Sequence, residues 1–489
     1  MTLLGNFALL LALIAGGWAV VVGFAGARSG RESAVRSAEG AMKGAALALS
    51  VAAAALVVAL VRKDFSVEYV AQYTSSSLST FYRVGAFWAG QAGSLLLWAW
   101  VLSLVGAGVI YQNRARNRDL MPWVTVTIAV VLVFFTVLVA FYANPFVRLP
   151  VAPADGQGLN PLLQNYGQWV HPIALYMGFV GFTVPFAFAV ASLVTGRLGD
   201  RWIRSVRRWT LWAWVLLTAG ILFGARWAYV ELGWGGYWAW DPVENASLLP
   251  WLAGTAYLHS VVVQEKRGML KVWNVGLAVG TFALSIFGTF LTRSGIISSV
   301  HAFAESSMGP LLIGFTFVAI AVGTALIVWR LPELRATGRI GSVVSRESAF
   351  VLTNLLFVAM TIVVFWGTVY PIVSEAIRGV EVSVGPPFFQ ALMAPLAVIT
   401  IALVGTCPLL AWRRASGRHL KRNFAVPLAV GGVSFIALAV LNRGAHLVIV
   451  VILTLTAFVL ATVVTEIWRG LSARHHHHGE SWGRAIVNL

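Results

Sequence analysis

The chain has 489 residues, 59% hydrophobic and only 11% charged, with a mean hydropathy of +0.81 and a formal net charge of +17. Soluble domains carry about 25% charged residues, so the composition excludes an ordinary soluble protein and requires a chain built largely inside a bilayer. The charge would suit a nucleic-acid binder, but its distribution along the chain excludes that reading as well.

Apolar runs near the roughly 20 residues needed to cross a bilayer fall at 3–26, 44–60, 85–110 and 121–142. More follow at 172–195, 210–222, 247–263, 272–291 and 310–329, and the last at 349–373, 391–412, 424–441 and 445–465. The expected fold is all-α, a polytopic transmembrane helix bundle of about 13 spans. Every second loop collects arginines and lysines: Arg28, Arg31 and Lys43, then Arg114 and Arg116, then Arg204, Arg207 and Arg208, and so on through Arg413, Arg414 and Lys421. These loops hold most of the 35 basic residues. The positive-inside bias therefore puts the N-terminus outside, together with the segment 226–247. Basic charge orients this chain and marks no nucleic-acid partner. The first apolar run has no basic leader and no small-residue cleavage site, so it is expected to be a retained helix. The lone cysteine, Cys407, excludes an internal disulfide and dithiol chemistry. We divide the chain into an N-terminal membrane bundle (1–226), a central tryptophan-rich stretch with its following helices (227–309), and a C-terminal bundle with a cytoplasmic tail (310–489).

Taken in order, the first distinctive string is Phe87-Trp88-Ala89-Gly90-Gln91-Ala92-Gly93-Ser94 at the start of the third span, where Gly90 and Gly93 allow close approach of a neighbour. The next outer loop carries Asn144-Pro145-Phe146, Asp155-Gly156 and Leu159-Asn160-Pro161, all turn signals. It leads to His171 at the outer end of the following span.

The densest stretch is 226–252, RWAYVELGWGGYWAWDPVENASLLPWL. Gly233, Gly235 and Gly236 interrupt any helix there. Asp241-Pro242-Val243-Glu244 then restarts one, with Asp241 as N-cap, proline at the first helical position and glutamate at the third. Trp234, Trp238 and Trp240 thus sit in an irregular loop pinned to a helix top. Such a loop suits stacking against a flat apolar ligand; equally, it suits an aromatic belt at a membrane interface. His259 lies on the capped helix, roughly 27 Å below the cap at about 1.5 Å per residue. An intramembrane histidine is either a functional group or a hydrogen-bonded link between helices. The next outer loop reads Leu291-Thr292-Arg293-Ser294-Gly295 and continues to Val300-His301-Ala302-Phe303.

WGGYWAWDPVEN matches the WWD motif of the heme-handling proteins of cytochrome c maturation. With ELGWGGYWAWDPVENASLLPWL, WAGQAGSLLLW, LNPLLQ and TRSG…SVHAF, the chain resembles the CcmF family over essentially its whole length. That resemblance implies a heme lyase subunit at the outer face of a bacterial inner membrane. There, heme brought by the CcmE chaperone would be held for thioether attachment to the CXXCH thiols of apocytochrome c, with a CcmH-type thioredox subunit as partner. It implies His171 and His301 as axial ligands of that heme, one on each side of the ring, with Trp234, Trp238, Trp240 and Asp241 in the binding loop. Arg293 is a candidate for a propionate, since arginine suits bidentate carboxylate contact. His259 would ligate a resident heme b that receives electrons from quinol. Family members continue beyond this chain's last residue and carry there the partner histidine of that second heme, so either the chain is truncated or split, another subunit completes the site, or the resident heme has one protein ligand only. No residue is assignable as nucleophile or general acid. Two other readings remain at this point: an exporter of heme or another small apolar ligand, and a nitrite-reductase-specific relative of the lyase.

Overall fold

A computed structural model describes residues 1–233, 235–295, 308–414, 416–441, 446–478 and 482. Trp234 and His301 lie outside the described residues. The described chain is helical apart from an isolated antiparallel bridge between Val67 and Arg148, as an apolar chain must be where no water can satisfy its backbone. In order, the helices are α1 (Thr2–Ser29), α2 (Glu32–Arg62), the short α3 (Glu68–Tyr73) and α4 (Thr80–Gly85), α5 (Gln91–Asn113) and α6 (Met121–Val137). Next come α7 (Gly167–Gly181), α8 (Thr183–Thr195), α9 (Arg201–Glu231), α10 (Pro242–Arg267), α11 (Lys271–Arg293) and α12 (Gly309–Arg330). The last four are α13 (Arg346–Arg378), α14 (Pro386–Thr406), α15 (Gly417–Leu441) and α16 (Leu447–His478).

Among the described residues, 13 helical stretches are long and apolar enough to cross a membrane, with α7 and α8 forming one stretch, Gly167–Thr195. The count agrees with the sequence reading. The helix α9 is much longer than the apolar run 210–222, because charged turns at both ends, Arg201 to Arg208 and Arg226 to Glu231, extend the helix without being apolar.

The chain packs as two compact units. The larger comprises Met1–Leu258, Lys271–Arg335 and Thr368–Val382. Within it, α1 packs on α2, on α6 and on Phe146 through its small residues: Gly5, Ala8, Ala12, Gly16, Ala19, Gly23 and Gly26 are buried, while Leu3, Phe7, Ile14, Trp18 and Val21 are exposed. In lipid, burying a large apolar side chain gains little over leaving it in contact with acyl chains, so close backbone approach decides the inward face. The same rule joins α7 to α9. A Cβ at Gly178 would stand 2.6 Å from the Leu217 Cβ, and one at Gly220 would stand 2.8 Å from the Leu175 backbone nitrogen. Beyond the helices, Asp155 ties two connecting segments together: its carboxylate accepts the N–H of Ser76 at 2.7 Å, the N–H of Gly156 at 2.7 Å and the Ser76 hydroxyl. These bonds hold its carboxyl below the usual carboxylate range.

The smaller unit comprises His259–Leu270, Ala336–Gly367 and Ser383–Leu489. Its tie is ionic: Arg267 Nε lies 2.8 Å from the fully buried Glu347 carboxylate, whose two oxygens also accept the Arg413 N–H at 3.0 and 2.9 Å. Beside it Phe350 stacks on Trp412, with ring centroids 6.0 Å apart.

Candidate functional site

In the larger unit, α5 and α7 begin, and α9 and α11 end, around one cavity of about 240 Å³. Such a volume sits just below the roughly 300–1,000 Å³ of small-molecule pockets. The cavity is open on one side, so a larger flat ligand could project from it. His171, Trp238 and Arg293, separated by 67 and 55 residues in the sequence, all line it.

Each is placed by a different local device. His171 stands in the second turn of α7, and its Nδ1 lies 2.7 Å from the Gly220 carbonyl oxygen of α9. A carbonyl only accepts, so Nδ1 carries the proton in this bond, which leaves Nε2 as the ring nitrogen on the far side. The close approach depends on Gly224, one turn further along α9: a Cβ there would fall 2.4 Å from the imidazole. The indole of Trp227 meets the same ring edge-on at 5.7 Å.

The tryptophan loop is held by the cap that its sequence announces. Asp241 Oδ2 accepts the Val243 N–H at 2.9 Å, and Glu244 Oε2 accepts the N–H groups of Asp241 at 3.1 Å and Ala239 at 2.9 Å. This reciprocal box satisfies first-turn amides that no helical carbonyl can reach. It also commits the Asp241 carboxylate to the helix. Between the two anchored amides, Trp240 adopts φ 60°, a left-handed conformation rare for a bulky side chain. Its ring meets Trp238 edge-on at 6.0 Å, and Trp238 reaches the cavity wall while Trp240 supports it.

Arg293 is not a loop residue, as its string suggests, but the last residue of α11, and it is only 7% exposed. Its guanidinium donates to the Gln91 carbonyl (3.3 Å), the Ser94 hydroxyl (2.9 Å) and the Tyr176 hydroxyl (3.2 Å). Glu231 also lines the cavity and accepts from Asn165 Nδ2 at 2.6 Å. His259 belongs to the smaller unit and is not among the cavity's lining residues. Its ring lies 5.6 Å from that of Phe350 and 5.7 Å from that of Phe357, nearly parallel to the latter. Sequence reasoning missed Gly220, Gly224, Tyr176 and Glu231 as parts of the site. The four-residue spacing of the two glycines is the signal that would have pointed to a close helix pair.

The fold and the cavity define a polytopic helical membrane protein with a cavity lined by tryptophan and imidazole side chains. Residues 88–297, which span the cavity, match the family model for cytochrome C assembly protein. The chain is 43% identical over 429 residues to the cytochrome c-type biogenesis protein CycK of Rhizobium meliloti, covering 88% of this chain and 63% of that one. It is 41% identical to the biogenesis protein ccl1 of Rhodobacter capsulatus, covering 95% of this chain and 71% of the relative. A solved structure titled Cytochrome c Heme Lyase CcmF superposes with a TM-score of 0.79 at 34% identity, over 97% of this chain and 72% of that one. The chain therefore belongs to the CcmF family of cytochrome c-type biogenesis proteins.

Proposed function

We propose that the chain is the heme-holding part of a cytochrome c heme lyase, with the cavity as the place where heme is presented. The observation that carries this reading is the His171 imidazole, fixed through Nδ1 by the Gly220 carbonyl in a cavity walled by Trp227 and Trp238. A neutral imidazole with a defined tautomer is the form that ligates heme iron. His301 and Trp234, which lie outside the described residues, are taken from the family resemblance as the opposite ligand and a further heme contact, and Arg293 meets a propionate. Heme is the substrate here, delivered by a CcmE-type chaperone at the outer, periplasmic face. Each apocytochrome CXXCH thiol, presented by a CcmH-type partner, adds across a vinyl C=C bond: a C–S bond forms at one carbon and the thiol hydrogen ends on the other. No net redox change accompanies that addition, and the chain's contribution is orientation and exclusion of water.

His259 is the residue that would hold a resident heme b, with Phe350 and Phe357 supplying its apolar surroundings. That group would supply electrons, drawn from quinol, to keep the substrate iron ferrous. The test of the principal reading is replacement of His171 or His301 by alanine. Holocytochrome should be lost while chaperone-bound heme still forms, and normal maturation in both variants would refute the ligand assignment.

A further inference from the structure

Two hydrogen-bond donors in the cavity wall find no acceptor among the described residues. Gln91 Nε2 and Trp227 Nε1 are both shut off from solvent there. Leaving a buried donor unpaired costs about 1–3 kcal/mol, so two in one wall require an explanation. Gln91 also opens α5, a helix of 23 residues, and its first-turn amides have no helical acceptor. The backbone carbonyl of the same Gln91 receives Arg293, the buried guanidinium that also binds Ser94 and Tyr176. A primary amide donor, a guanidinium and a helix N-terminus thus meet at one end of the cavity wall, where Ser94 is 4% and Arg293 7% exposed.

We infer that this end is a carboxylate subsite, formed by Gln91 Nε2, the Arg293 guanidinium and the amino end of α5, and that it sets which way round the ligand lies. The inference rests on the heme reading for the ligand's identity but not for its chemistry: a flat apolar body carrying a carboxylate. Heme bears its two propionates along one edge and its vinyl groups on the other side of the macrocycle. With propionate taken at Gln91 and Arg293, where Ser94 is 4% and Arg293 7% exposed, the vinyl side falls toward the open end. Leu162, 37% exposed, lines that end. Reversed binding would bury the reacting carbons and leave two carboxylates against Leu162 and Trp238. Gln91 is accordingly a positioning residue, acting on the orientation of the ligand and not on the reacting atoms.

The experiment uses the full purified chain in detergent and two pairs of probes: heme against heme dimethyl ester, and pyrenebutyrate against its methyl ester. Binding is read from tryptophan quenching and, for the hemes, the Soret band. In each pair the free acid should bind ~10–100-fold more tightly, the range expected for hydrogen bonds to a charged group. Gln91→Leu should weaken binding of the free acid more than that of the ester and so remove most of that preference. Gln91→Glu, which places a carboxylate of its own beside Arg293, should abolish it. Equal affinity for acid and ester in the native chain overturns the proposal, as does an equal loss of both in the Gln91 variants. If pyrenebutyrate is preferred over its ester while neither heme binds, the carboxylate subsite stands and the heme reading fails.

Discussion

Around His171 the close neighbours are backbone: the Gly220 carbonyl at 2.7 Å and the bare α-carbon of Gly224, where a methyl would collide with the ring. Around His259 they are rings, Phe350 and Phe357, set on a helix whose first turn is tied to Arg267 and Arg413 through Glu347. The first imidazole is fixed by a backbone hydrogen bond and a bare α-carbon, with one indole edge-on at 5.7 Å; the second lies between two rings. The first arrangement tolerates no added atom, whereas the second tolerates no deletion.

The sharpest way to break this contrast is to add one methyl beside His171. Gly224→Ala should displace the imidazole and reduce holocytochrome yield at least ~10-fold, as far as His171→Ala, since misplacing a group by about 1 Å can cost some 100-fold. Gly276→Ala, on α11 with open space where its Cβ would stand, should be neutral in the same assay. Wild-type yield from Gly224→Ala would show that His171 does not need its packed position.

Deletion in the smaller unit should act on stability. Glu347→Ala leaves Arg267 without its buried counter-charge, and the expected loss is about 3–5 kcal/mol, measured by thermal unfolding of the purified chain. A midpoint equal to wild type would show that the ring cage does not depend on the ionic tie. A smaller effect is expected at the tryptophan loop: Asp241→Ala should cost about 0.5–2 kcal/mol and speed amide exchange at Val243, without the collapse caused by Glu347→Ala. The smallest is a response to acid. Asp155 has its folded-state pKa lowered by bonds from Ser76 and Gly156, so its contribution is complete above the ordinary carboxylate pKa of about 3.9 and fades as pH falls through the lowered value. Amide exchange at Ser76 and Gly156 should stay slow from neutral pH to the ordinary carboxylate range and quicken only below it. Asp155→Asn should remove that pH dependence.

Much of this was legible in the sequence, though unevenly. Hydropathy and charge alternation reveal helices because the bilayer leaves an apolar chain few other forms. Asp241, Pro242 and Glu244 announce the cap because capping is a local matter of four consecutive residues. The cavity was not legible in the same way. In membrane helices large apolar side chains face lipid as readily as protein, so periodicity does not mark the inward side. On α1, for instance, glycine and alanine face inward while Trp18 and Phe7 face out. Gly220 and Gly224 look like ordinary small residues until α7 lies against them. Arg293 looks like a loop cation until α11 is seen to run to its last atom. Resemblance located His171 and the tryptophans; only packing shows that a helix start and two orphaned donors share their cavity.

The left-handed backbone at Trp240 has a practical consequence for dissecting the tryptophan loop. A side chain at such a position opposes its own conformation by about 1–2 kcal/mol, and glycine alone adopts that conformation freely. Trp240→Gly would therefore delete the indole while easing the bend that carries it. Alanine at Trp238 has no such separation, because ring and route change together. At residue 240 aromatic support and chain trajectory can be uncoupled, so among the described tryptophans of the loop a loss of activity there would report the ring itself.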